Sequence, residues 1–179
     1  MKQGRKKSKK EKRVVAVSGG FDPLHVGHIR MFKEAKKLGD ILVVILNNDN
    51  WLIKKKGYAF MPDKERKEII EAIGYVDKVV LSCHPPNPKD MSISKDLIRL
   101  RPHIFANGGD RNETDAANPN SSLFKDIRTC EKLGISVIYN VGKGGKVQSS
   151  SWLLAKYLEE ARTKTKTGEE QTKENRHRK

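Results

Sequence analysis

The densest chemistry in this chain lies in the run Ser18-Gly19-Gly20-Phe21-Asp22-Pro23-Leu24-His25-Val26-Gly27-His28. Gly19 and Gly20 are expected to let the backbone come close to a ligand, since neither carries a side chain. His25 falls in a loop and His28 in the first turn of a following helix, so the two imidazoles can converge on one point. That point is a helix N-terminus, where backbone N–H groups and the helix dipole favour an anion. Two imidazoles there suit a phosphate that gains negative charge during a displacement. Gly27 leaves room for it, because any side chain at that position would project towards the anion. Two plainer readings stand beside this one. The pair can be metal ligands, although no third ligand of obvious spacing follows on the same element. They can also be ordinary histidines near a turn.

A strand must deliver this loop and a helix must leave it. Val14–Ser18 is a short β-branched run that ends at Gly19-Gly20, as a buried strand would. A helix is predicted from about Val26 to Leu38, closed by Gly39. Ile41–Leu46 is apolar at every position, as expected of a strand covered on both faces. Residues 47–61 are read as an irregular basic loop, after which Pro62 opens a helix with Asp63 and Glu65 in its first turn and Gly74 beyond its end. Val79–Leu81 is a third strand, and the prolines of His84–Lys89 make a loop. Ser92 or Ser94 can cap a helix to Leu100, which Pro102 stops. His103–Ala106 is a fourth strand, followed by Gly108-Gly109 and a polar loop. A helix from about Ser121 to Leu133, a strand Ile135–Tyr139 and a helix Ser151–Ala161 complete the chain. Five strands alternating with helices predict the α/β class: a Rossmann-like three-layer sandwich around a five-stranded parallel sheet. Ligands of such sheets bind at the carboxyl ends of the strands, where the strand order reverses.

Composition narrows the partners. The chain has 179 residues, 36% of them hydrophobic, enough for one ordinary domain with a real core. No apolar run approaches the roughly 18–20 residues of a membrane span, and no secretory signal is visible. Cys83 and Cys130 are too few for a disulfide framework or a four-cysteine zinc site. A soluble, cytoplasmic protein is the expectation. The net charge of +15 is uneven: residues 1–13 contribute +7 and residues 163–179 contribute +3. Both ends are too poor in hydrophobes to fold alone, so they are read as basic disordered arms flanking a domain at 14–162. Such an arm admits contact with nucleic acid or an anionic membrane surface, a nuclear-import signal or plain solvation. The first arm has no aromatic residue for base stacking, which argues against single-strand binding.

Gly20-Phe21-Asp22-Pro23-Leu24-His25-Val26-Gly27-His28 resembles the signature of the cytidylyltransferase family of HxGH nucleotidyltransferases. The likeness extends to glycerol-3-phosphate, phosphocholine and phosphoethanolamine cytidylyltransferases and to heptose-phosphate adenylyltransferases. Lys54-Lys55-Lys56-Gly57, Pro62-Asp63-Lys64-Glu65-Arg66, Tyr75-Val76-Asp77-Lys78-Val79-Val80, Arg101-Pro102-His103-Ile104-Phe105 and Gly108-Gly109-Asp110 follow in the family's order. Gln148-Ser149-Ser150-Ser151 is similar to its closing Ile-Ser-Thr-Ser segment. The resemblance covers about residues 13–160 and implies the nucleotidyltransferase superfamily fold.

It also implies roles. His25 and His28 would stabilise the transition state at the α-phosphate, with Lys56 as a third catalytic group. Nucleotide contacts would come from Gly19, Gly20, Phe21, Asp22, Gly27, Lys54, Lys55, Arg66, Gly109, Asp110, Lys146, Ser149, Ser150 and Ser151. No protein metal site is implied; Mg2+ would ride on the triphosphate. The partners would be a nucleoside triphosphate, CTP or ATP, a phosphorylated small-molecule acceptor, and a second copy in a homodimer. Two departures bear on specificity: Gly144-Gly145-Lys146-Val147 stands where the family's closing motif has Arg-Thr-Glu-Gly, and Arg111 replaces a frequent aromatic. The leading expectation is transfer of CMP from CTP to a phosphorylated alcohol or sugar with release of pyrophosphate. The alternatives are an adenylyltransferase using ATP with a sugar phosphate or FMN, and a non-catalytic module that binds nucleic acid or a partner through the arms.

Overall fold

The computed structural model describes residues 11–108, 111–142 and 148–176, with side chains described as far as Thr163. Gly109, Asp110, Lys146 and the first ten residues of the basic arm therefore lie outside the described residues. Five parallel strands form one sheet in the order β3-β2-β1-β4-β5. They are β1 (Val14–Gly19), β2 (Ile41–Leu46), β3 (Lys78–Leu81), β4 (Ile104–Gly108) and β5 (Ser136–Val141). The order reverses between β1, which runs first to β2, and β4, which pairs on the other side of β1.

Alternation along the strands decides which helix packs where. Val15 and Val17 of β1, Leu42, Val44 and Leu46 of β2, and Ile104 and Ala106 of β4 share one core. It is closed by Met31, Phe32 and Ala35 of α1 (Val26–Lys36) and Ile70 of α3 (Asp63–Glu71). The residues between them, Ala16, Ile45 and Phe105, face the other way. There they meet Leu97 of α4 (Ser94–Leu100), Ala116 of α5 (Glu113–Ala117), and Leu123 and Cys130 of α6 (Ser122–Leu133). Helices thus cover both faces, and the all-apolar Ile41–Leu46 run is explained by burial on each side. The three-layer α/β sandwich expected from the sequence is the observed architecture.

Four local expectations need correction. Residues 47–61 are not all loop: α2 (Asp49–Lys56) lies within them. Its stop and start signals are orthodox. The side chain of Asn48 accepts the N–H of Trp51, Asp49 sits in the first turn, and Lys54, Lys55 and Lys56 sit in the last. Gly57 closes it at φ 85°, a conformation that costs a side-chain-free residue little. Secondly, neither Ser92 nor Ser94 caps α4. Asp126 of α6 instead anchors the start of that helix, accepting the Ile93 N–H at 2.8 Å and the Ser94 hydroxyl at 3.2 Å on one oxygen. Thirdly, β4 reaches Gly108 and β5 reaches Val141, past the expected ends at Ala106 and Tyr139. Fourthly, α7 (Ser150–Arg176) runs on beyond Ala161 through the segment read as a tail, because adding residues to a formed helix is far easier than starting one.

Candidate active site

A cleft of about 450 Å³ opens at the carboxyl edge of the sheet, where the order reverses. It is walled by the β1–α1 loop, by α2, by the end of β4 and by the start of α7. Among the expected site residues, His25, Gly27, His28, Lys55, Lys56, Ser149, Ser150 and Ser151 line it, as do Gly19, Gly20, Phe21 and Asp22.

The two histidines lie against each other, ring centroids 3.6 Å apart and planes 21° from parallel. Nδ1 of His28 accepts the backbone N–H of His25 at 3.3 Å. The ring of Phe21 meets His28 edge-on, 4.9 Å between centroids at 90°. Burial, and then the neighbouring His25 and Lys56, push the His28 pKa down to about 3. Burial also lowers His25. His28 is therefore neutral near pH 7, and with Nδ1 accepting, its proton sits on Nε2 as a donor. Nδ1 of His25 is buried and has no hydrogen-bond partner among the described residues. An arriving anion would reverse the balance that keeps both rings uncharged, since it stabilises imidazolium.

Lys56 donates to the backbone oxygen of Asp22 at 3.0 Å, and Ser150 donates its hydroxyl to the backbone oxygen of Pro23 at 2.8 Å. Those two bonds bring the end of α2 and the start of α7 to the same loop as the histidines. The three lysines diverge. Lys54 reaches Asn87 at 2.8 Å, away from the cleft, while Lys55 lies 4.5 Å from the centroid of the Trp51 ring.

Several of the expected ligand contacts are bonded or packed within the protein. The carboxylate of Asp22, only 1% exposed, accepts the N–H groups of Phe60 and Met61, each at 2.8 Å. Arg66, also 1% exposed, is absent from the cleft wall. It donates to the backbone oxygens of Met61 (2.9 Å), Gly20 (2.6 Å) and Asn47 (2.9 Å) and to the Asp49 carboxylate (2.6 Å). One guanidinium thereby ties α3 to the ends of β1 and β2 and to α2. The glycines serve packing as well: a Cβ on Gly19 would stand 2.8 Å from the Phe21 ring, and one on Gly20 2.8 Å from Cδ2 of Leu52. Their bareness admits protein side chains.

Sequence reasoning missed Trp51, Asn47, Asn107 and Asp126, all of which line the cleft. Asn47 directly follows an all-apolar strand and Asn107 precedes Gly108, so each is a polar residue at a strand's carboxyl end. That position was the available signal. Among the described residues, no group of three or more His, Cys, Asp or Glu is arranged to hold a metal ion. None of the described helices is long and apolar enough to cross a membrane.

A family model described as cytidylyltransferase-like matches residues 16–137. An FAD synthase of Thermococcus sibiricus is 38% identical over 143 residues, covering 77% of this chain and 92% of its own length. An FAD synthase of Pyrococcus horikoshii is 43% identical over 99 residues, 54% of this chain; the match spans 63% of that relative's length. Among solved structures, a lipopolysaccharide core biosynthesis protein from Thermoplasma volcanium superposes with a TM-score of 0.58 at 30% identity, over 75% of this chain and 99% of that one.

Proposed function

This chain belongs to the cytidylyltransferase-like family, and on that footing we propose that it is an adenylyltransferase, joining AMP from ATP to the phosphate of a small-molecule acceptor. The observation that carries the reading is the stacked His25–His28 pair at the start of α1, facing the cleft beside Lys56 and Ser149–Ser151. An oxygen of the acceptor phosphate attacks the α-phosphorus. A new P–O bond forms as the bond to the β-phosphate breaks, and pyrophosphate leaves with the electron pair. Negative charge accumulates on the α-phosphate oxygens, where Nε2–H of His28 is a ready donor and Lys56 a compact cation. The serines and the N-terminus of α7 suit the β- and γ-phosphates. Gly27 leaves the approach open. Magnesium would enter as part of the nucleotide substrate, neutralising the triphosphate.

ATP is preferred here to CTP, the first choice from sequence. FAD is FMN joined to AMP, so the FAD synthase relatives support adenylyl transfer. FMN is accordingly the favoured acceptor. A sugar phosphate is the second reading, supported by the lipopolysaccharide-related structure. Pyrophosphate release with magnesium, measured for ATP and CTP against FMN, a heptose 1-phosphate and glycerol 3-phosphate, tests the assignment. Acceptor-dependent release with ATP is expected; release with CTP alone overturns it.

A further inference from the structure

The cleft has two sides, and the histidines occupy only one. His28 and Met31 belong to α1 and His25 directly precedes it, on the sheet face that carries Val15 and Val17. Alternation sends Ser18 to the opposite face with Ala16, Asn47 with Ile45, and Asn107 with Phe105. Two neighbours confirm the phase at the strand ends. A Cβ on Gly108 would meet Met31, and one on Gly19 would meet Phe21, both on the α1 face. Ser18, Asn47 and Asn107 therefore form a polar row across three adjacent strands, on the side covered by α4 and α6.

That row is incompletely satisfied. Asn47 is 4% exposed and Asn107 7%, yet among the described residues Oδ1 of Asn47 and Nδ2 of Asn107 have no hydrogen-bond partner. Leaving such atoms bare is costly, and a ligand that paired them would recover the cost. The surrounding walls are apolar: Trp51, Met91, Ile93, Phe105 and Leu123. The indole N–H of Trp51 is used internally, donating to the Met91 backbone oxygen at 2.9 Å, which fixes that ring as a wall.

Building on the adenylyl-transfer reading, we infer that this α4/α6-side lobe holds the acceptor, and that Asn47 and Asn107 select a phosphate ester bearing a flat heteroaromatic ring. One orphan accepts and the other donates, so their partner must present an N–H or O–H close to a carbonyl or ring nitrogen. An isoalloxazine edge does so, with an imide N–H between two carbonyls, while its faces are apolar enough for the walls. A sugar phosphate fits poorly. Its hydroxyls point in all directions, and those against Ile93, Phe105 and Leu123 would lose their water without replacement. Lys55, held over Trp51, and Lys56, held at the Asp22 loop, then serve different sides of one cleft.

The test uses the full chain, with FMN binding followed by flavin fluorescence and ATP binding by calorimetry, on Asn47→Ala, Asn107→Ala and Asn107→Asp. Asn107→Asp keeps the shape and replaces the donor by an acceptor, so it reports on recognition even if truncation harms folding. FMN affinity is expected to fall tenfold to a hundredfold in each variant, with ATP affinity within about twofold and the loss appearing in the KM for FMN more than in kcat. Unchanged FMN affinity overturns the inference. So does a parallel loss of ATP affinity, which would make the lobe a base pocket. FMN binding that responds to these variants without any adenylyl transfer upholds the lobe and overturns the proposed activity instead.

Discussion

The backbone N–H of His25 points at Nδ1 of His28, 3.3 Å away, and that single contact fixes which nitrogen of His28 can donate. With Nδ1 occupied as an acceptor, the neutral ring must hold its proton on Nε2. The chain therefore supplies a pre-oriented donor where charge would develop, with no reorganisation needed at the moment of transfer.

His28→Ala is expected to lower kcat by on the order of 10²–10³, the size typical of losing one charge-stabilising donor, with the ATP KM little changed. Steady-state kinetics on a variant with a wild-type melting temperature decide the matter. A kcat within threefold of wild type would remove His28 from the mechanism.

Arg66 behaves as a strut. Its side chain is fully buried against the Asp49 carboxylate and three backbone oxygens. Arg66→Met is expected to destabilise the fold by about 3–5 kcal/mol, because four acceptors lose a charged donor together. Urea denaturation measures it. A nucleotide-contact role, as the sequence suggested, would instead raise the ATP KM and leave the denaturation midpoint in place.

Gly20→Ala forces its new methyl to within 2.8 Å of Leu52, which is itself fully buried. A loss of about 1–3 kcal/mol is expected, the usual range for overpacking. The double variant Gly20→Ala with Leu52→Ala distinguishes this from a ligand clash. Coupling in a double-mutant cycle of at least 1 kcal/mol is predicted, the second change costing less in the presence of the first. Simple additivity would return Gly20 to its expected role of admitting a ligand.

Sequence reading captured the layers and the edge that carries the site, because those follow from local pattern. Ile41–Leu46 and the alternation of strands with helices required no knowledge of contacts. It placed His25, His28 and the serines at the sheet's edge for the same reason: loop and helix-start positions suffice to bring them to the cleft. The internal bonds and packing of Arg66, Asp22, Gly19 and Gly20 were not legible, because their partners lie up to 46 residues away and are set by packing alone. The helix α2 was hidden by its Asp-Asn-Trp-Leu-Ile-Lys-Lys-Lys composition, although Asn48 and Gly57 bracket it with ordinary caps. Asn47 and Asn107 escaped because a lone asparagine becomes informative only once its burial and missing partner are seen.

Stability should carry an unusual pH signature at Asp126. Burial raises its pKa from 3.8 to about 7, against the opposing bonds from Ser94 and Ile93. A raised carboxyl pKa means the folded chain binds more protons than the unfolded one between about pH 4 and 7. Its contribution to stability therefore falls as pH rises through that window. Asp126→Asn, which can still accept from Ile93 and Ser94, is expected to stabilise the protein by roughly 2–4 kcal/mol at pH 8 and by little at pH 4. Chemical denaturation at the two pH values tests this; an equal effect at both would deny the raised pKa.

The most direct measurement follows the α-phosphate itself. ATP labelled at the α-position is incubated with magnesium, FMN and the full chain, and the label is traced by chromatography. The account predicts label in a product containing both AMP and FMN, one equivalent of unlabelled pyrophosphate, and loss of at least a hundredfold in rate for folded His28→Ala. Label that stays in ATP while both substrates bind, or that transfers only when CTP carries it, would contradict the account at its centre.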